Sequence, residues 1–134
     1  MSDLLVDTHA VVWYLQASSQ LSVAARYAIN TSIEKGFEIL LPSISLVELI
    51  YLTEKGRLHE NQLSGLFEFL ERPDSSFRIQ DLTSGIAEST HLVPRAIVPD
   101  MPDRVIAATS LFLSIPLVTR DNKIRKLRNI ETIW

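Results

Sequence analysis

The chain has 134 residues, 46% of them apolar and 22% charged, with a net charge of −3 and no cysteine. That length suits one domain, residues 1–134, able to bury roughly two-thirds of its unfolded surface, and the composition excludes a disordered chain. Disulfides, thiolate metal sites and thiol nucleophiles are excluded, the negative charge supplies no whole-molecule attraction for nucleic acid, and no apolar run nears the ~18 residues of a membrane span. A reducing compartment fits, so cytoplasm is the expected location, and Asp3 in place of a basic leader argues against secretion.

Leu4–Val6 reads as a short buried strand, and a helix starts at Ala10–Leu15 after Asp7-Thr8-His9. Helical spacing of Val23, Tyr27, Ile29 and Ile33 predicts a second helix from Ser22, its N-cap, to Lys35, with Gly36 as the stop. Phe37–Leu41 is a strand ended by Pro42, and Ser43 or Ser45 caps a helix that runs through Glu48 to Lys55 before Gly56. Asn61–Glu71 repeats the helical pattern. Phe77–Leu82 alternates at period two as a more exposed strand, and Ser84 to about His91 is helical again. Pro94 and Pro99 bracket a loop, and Pro102–Leu113 is a helix with proline at its first position. Leu117–Val118 is a buried strand, Lys123–Arg128 a short basic helical turn, and Glu131–Trp134 a last strand. Alternating strands and helices imply an α/β fold: a central, mainly parallel sheet of four to five strands flanked by helices.

Four carboxylates sit beside these core-forming segments: Asp7, Glu48, Asp103 and Asp121. Asp7, Asp103 and Asp121 fall near helix starts, where capping is an alternative role. Glu48 has Ile44, Ser45, Tyr51 and Leu52 at helical spacing, so the usual solvated face is missing. Ligand sites in open α/β sheets lie beyond the carboxyl ends of strands, and crossover helices begin at that edge. Convergence there would demand a cation, and carboxylates suit a hard divalent ion. That points to a metal-dependent nuclease. His9, His59 and His91 lack zinc-ligand spacing, and no G-x-S-x-G or phosphate-cradling loop occurs. Asp100 and Asp81 read as loop residues, whereas basic side chains crowd between Arg120 and Arg128.

Leu4-Leu5-Val6-Asp7-Thr8-His9-Ala10, Ser45-Leu46-Val47-Glu48-Leu49, Asp100-Met101-Pro102-Asp103-Arg104-Val105-Ile106-Ala107-Ala108 and Pro116-Leu117-Val118-Thr119-Arg120-Asp121 together resemble PIN-domain ribonucleases, specifically VapC-like toxins of toxin–antitoxin pairs. The resemblance covers nearly the whole chain in the family's order. It implies a single PIN-like domain and an endoribonuclease dependent on Mg²⁺ or Mn²⁺, with Asp7, Glu48, Asp103 and, more loosely, Asp121 holding the metal. Thr119 matches a supporting hydroxyl and Asp100 an auxiliary acid, while His9 stands where many relatives carry Asn. Arg104, Arg120 and Lys123 are candidate contacts to the RNA backbone, with a solvated face as their alternative. The resemblance also implies a homodimer and a cognate antitoxin covering the acidic groove. Tyr51, Leu52 and Leu58, or Trp13 and Tyr14, could form the docking surface, and core packing explains them equally well.

A receiver-like signalling domain is the rival from another class, yet it wants two adjacent acids after the first strand, and here Asp7 precedes Thr8-His9. A haloacid-dehalogenase-like phosphatase would carry Asp at the place of His9. A non-catalytic PIN-like scaffold is the third reading, and the presence of all four acids argues against it.

Overall fold

The computed structural model describes residues 2–134. Strands β1 (Leu4–Val6), β2 (Ile39–Pro42), β3 (Phe77–Gln80), β4 (Leu117–Val118) and β5 (Thr132–Ile133) alternate with helices α1 (Thr8–Leu15), α2 (Val23–Glu34), α3 (Ser43–Glu54), α4 (Glu60–Glu71), α5 (Ser84–Ser89) and α6 (Met101–Leu113). The sheet is parallel throughout, in the order β3-β2-β1-β4-β5. The expected four to five strands are five, and the mainly parallel sheet is wholly so.

Strand side chains alternate between two cores, as the period of two requires. Leu4, Val6, Ile39, Leu41 and Val118 pack under α1 to α4, while Leu5 and Leu117 face the opposite layer with Ile106, Ala107 and Ala108 of α6. Both faces of β1 are therefore dry, which explains its unbroken apolar run. Gly36 and Gly56 follow the last residues of α2 and α3 at φ 83° and 73°, a left-handed conformation that glycine adopts without steric cost.

Several predicted boundaries move. Pro42 ends β2 and also occupies the position before α3, which has no side-chain cap. Neither Ser43 nor Ser45 caps it: Ser43 Oγ accepts the Leu82 N–H at 3.0 Å, and Ser45 is fully buried. The basic segment after β4 forms only a 3-10 turn over Ile124–Lys126, and the helix from Ser84 tightens into another over Thr90–Leu92. Among the described residues no helix is long and apolar enough to cross a membrane.

Chain order sets the next level. From β1 the sheet grows outward through β2 and β3, then returns to place β4 on the other side of β1. The connections after β1 and β4 part in opposite directions, leaving a crevice at their carboxyl ends, the general ligand position in such sheets.

Candidate active site

Asp7 leaves β1 into this crevice, and Thr119, Arg120 and Asp121 leave β4 into it. α3 and α6 pack together and bring in Glu48 and Asp103. A cavity of about 420 Å³ results, lined by Asp7, Thr8, His9, Trp13, Glu48, Asp103, Ile106, Arg120, Asp121 and Asn122. All four acids singled out from sequence border it.

For two of them, capping and cavity lining coexist. Asp7 Oδ1 accepts the Ala10 N–H at 2.9 Å, capping α1, while Oδ2 accepts the Thr119 hydroxyl. Asp121 Oδ1 accepts the N–H groups of Lys123 and Ile124, both at 2.9 Å. Thr119, fully buried, joins the two strand ends, because its Oγ1 also accepts the Asp121 N–H at 3.0 Å. Asp103 makes no capping bond; the residue before α6 is Asp100, exposed and likewise without a side-chain cap.

Glu48 is held by a pair the sequence reading missed. Thr8 Oγ1 lies 2.7 Å from Glu48 Oε1 and 2.9 Å from Ser45 Oγ. An ionised carboxylate only accepts, so the single Thr8 proton goes to Glu48 and Ser45 donates to Thr8. Thr8 and Ser45 are both buried, and Ser45 precedes Glu48 by three residues on one helix face. That spacing was visible in the sequence; its partner on α1 was not.

The electrostatics are those of uncompensated acids. Burial raises the pKa of the Asp7 carboxyl above the usual 3.8, opposed by the Thr119 and Ala10 hydrogen bonds and the nearby His9, with Asp121 adding repulsion. Asp103 is raised to about 6, by burial first and then by the charges of Asp121, Glu48, Asp100 and Asp7. Among the described residues the one ion pair joins Arg78 and Glu38, away from this cavity. Among the described residues no basic side chain forms an ion pair with any of the four acids. Nor do any three His, Asp or Glu side chains among the described residues form a ready-made metal cage.

The cationic candidates separate. Arg120 lines the cavity with its Cζ 4.5 Å from the centroid of the Trp13 ring. Lys123 is exposed outside the cavity wall and offers Asp121 its backbone N–H. Arg104 is a correction: its guanidinium donates to the Thr90 carbonyl at 2.8 Å and the Val93 carbonyl at 2.9 Å, tying α6 to the 3-10 turn. Those bonds aim it away from the cavity, so the expected backbone contact has no support. Trp13 and Leu58, considered above as docking residues, are buried in the core at 8% exposure each, whereas Tyr51 is 58% exposed.

A family profile described as PIN domain matches residues 4–130. The chain is 30% identical over its full length to the full length of Ribonuclease VapC22 of Mycobacterium tuberculosis (strain ATCC 25618 / H37Rv). In fold it is similar to a chain of VapBC2 from Rickettsia felis bound to a promoter DNA fragment, at TM-score 0.72 and 21% identity, covering 97% of this chain and 96% of that one. A chain of DNA-bound VapBC from Salmonella typhimurium gives 0.72 at 19% identity, covering 98% and 97%. Profile, relative and fold agree with the acidic crevice between β1 and β4: the chain belongs to the PIN-domain family.

Proposed function

We propose that residues 1–134 form an endoribonuclease of the toxin type, dependent on Mg²⁺ or Mn²⁺, with Asp7, Glu48, Asp103 and Asp121 as its acidic site. One observation carries this: four carboxylates around a single cavity, none paired with a basic side chain among the described residues. Full-length identity of 30% to a protein named as a ribonuclease supports RNA as the substrate.

The donor set fits a hard cation, with Asp7, Glu48 and Asp103 as the groups that would hold it and Asp121 as a looser contributor. When bound, such an ion supplies Lewis-acid polarisation of the phosphoryl oxygen and lowers the pKa of an attacking water. The residues contribute orientation. Thr119 fixes the Asp7 carboxylate, Thr8 fixes Glu48, and Asp100 adds negative potential beside Asp103.

Thr8→Val tests that orientation, since valine keeps the shape and removes the hydroxyl. The expected result is a 10–100-fold loss of Mn²⁺ affinity, as for other groups that steer metal ligands, and about 1–2 kcal/mol of lost stability as Ser45 loses its acceptor. Isothermal titration with Mn²⁺ measures the first and thermal unfolding the second; unchanged affinity rejects the orienting role.

An antitoxin protein is the proposed partner, supported by the toxin–antitoxin complexes among the structural neighbours. The exposed apolar side chains of Val47, Tyr51 and Met101, which line a pocket sharing His9 and Glu48 with the cavity, give it a surface to cover. A homodimer and a cytoplasmic location belong to the same reading.

The deciding experiment incubates purified protein with mixed RNA in Mg²⁺, in Mn²⁺ and in chelator. Cleavage in the first two and none in the third is expected. RNA left intact under all three conditions ends the assignment.

A further inference from the structure

Arg120 stands in an unusual place for a free guanidinium. It borders a cavity with four carboxylates and forms no ion pair with any of them; its charge sits over an indole face instead. The indole is a fixed support. Trp13 is 8% exposed, and its ring lies 5.9 Å from that of Trp134. Arg120 itself is exposed, so its guanidinium sits over Trp13 and still meets solvent at the cavity lip. His9, also exposed, leans on the same indole at 5.4 Å between ring centroids and 41° between planes.

Two flat groups on one rigid floor therefore flank the acids, with His9 two residues past Asp7 and Arg120 directly before Asp121. Building on the ribonuclease reading, we infer that Arg120 and His9, supported by Trp13, form a stacking subsite for an unpaired nucleobase next to the scissile phosphate. Single-stranded RNA is gripped through bases laid on aromatic rings and guanidinium planes, a mode that needs flat, pre-oriented surfaces. A guanidinium also stacks on flat aromatic groups, which the compact ammonium of lysine does not do. Held over the indole and still exposed to solvent, the guanidinium offers an incoming base a positioned surface. Asn122, exposed on the same wall, offers an amide to the base edge.

The test uses an oligoribonucleotide that the wild type cleaves, resynthesised with an abasic residue at each position around the cut in turn. The wild type is expected to favour the intact base over the abasic residue at one flanking position by about tenfold or more in kcat/KM. Arg120→Lys keeps the charge and loses the plane, so that ratio should fall toward one. His9→Ala should lower it independently should the lysine variant fail to fold. A purely structural role for Arg120 would slow both substrates alike and leave the ratio standing. A ratio near one in the wild type, or one preserved in Arg120→Lys and His9→Ala, overturns the subsite in favour of a phosphate contact while the ribonuclease reading survives. A wild type that cleaves no RNA at all overturns both.

Discussion

Asp7→Asn and Asp103→Asn are each expected to slow metal-dependent RNA cleavage by roughly a hundredfold or more, the rate equivalent of losing several kcal/mol of transition-state charge stabilisation. Neither change should unfold the protein, and the hydrogen bonds say why. Asn at position 7 keeps a carbonyl oxygen for the Ala10 N–H and is as good an N-cap as Asp. Its cost is the Thr119 proton, which loses a carboxylate acceptor beside an open cavity. Asp103 makes no capping bond to lose, and its neutralisation relieves repulsion from Asp121, Glu48, Asp100 and Asp7. Asp7→Ala is the useful contrast, because it deletes the cap as well and should cost about 1 kcal/mol of stability. Single-turnover cleavage and thermal unfolding on the same preparations separate the two roles. Full-rate cleavage by both Asn variants would remove the acids from the chemistry.

Without divalent cations, the folded protein should lose stability as pH rises from about 4 to about 6. Asp103 titrates near 3.8 when unfolded and about 6 when folded, so within that window the folded chain holds more protons than the unfolded one. Raising the pH then favours unfolding; below the window both states are protonated, and above it the loss is complete. The shift corresponds to ~3 kcal/mol at most, reduced to about 1–2 kcal/mol because Asp103 is partly exposed and its neighbours' charges are screened. Asp7, raised by burial, acts in the same direction. Urea unfolding in chelator between pH 4 and pH 8 measures the slope. Asp103→Asn should remove its own share of the slope, leaving that of Asp7, and exceed the wild type in stability at pH 7. Adding Mg²⁺ or Mn²⁺ should reverse the order, since an ion bound only by the folded state at 100 times its Kd adds about 2.7 kcal/mol. Parallel pH curves for wild type and variant would refute the electrostatic picture of the cavity.

These expectations rest on particular residues that differ in how far the chain alone reveals them. Asp7 and Asp121 were legible because each follows an apolar strand, and Glu48 because apolar residues flank it at helical spacing, although Val47, Ile50 and Tyr51 of the same helix prove exposed. Treating capping and cavity lining as alternatives was too strict. A carboxylate has two oxygens, and Asp7 uses one for the α1 cap while the other takes the Thr119 hydroxyl at the strand end. Arg104 misled for a related reason: its place in the acidic motif is next to Asp103, yet the next residue on a helix points about 100° away, toward the Thr90 and Val93 carbonyls.

What the sequence determined by itself is local. Hydrophobic periodicity, the glycines after α2 and α3, and acids at the ends of apolar runs all act over a few residues, so strands, helices and candidate acids could be read directly. Tertiary structure alone decided that β4 returns beside β1, opening the crevice at their shared edge, and that Thr8 reaches across from α1 to Glu48. It also decided that Arg120 rests on Trp13 rather than on a carboxylate. Those outcomes join groups tens to more than a hundred positions apart. Their energies depend on which long-range pairings win, on how much water the packed layers exclude, and on charges brought together only by folding.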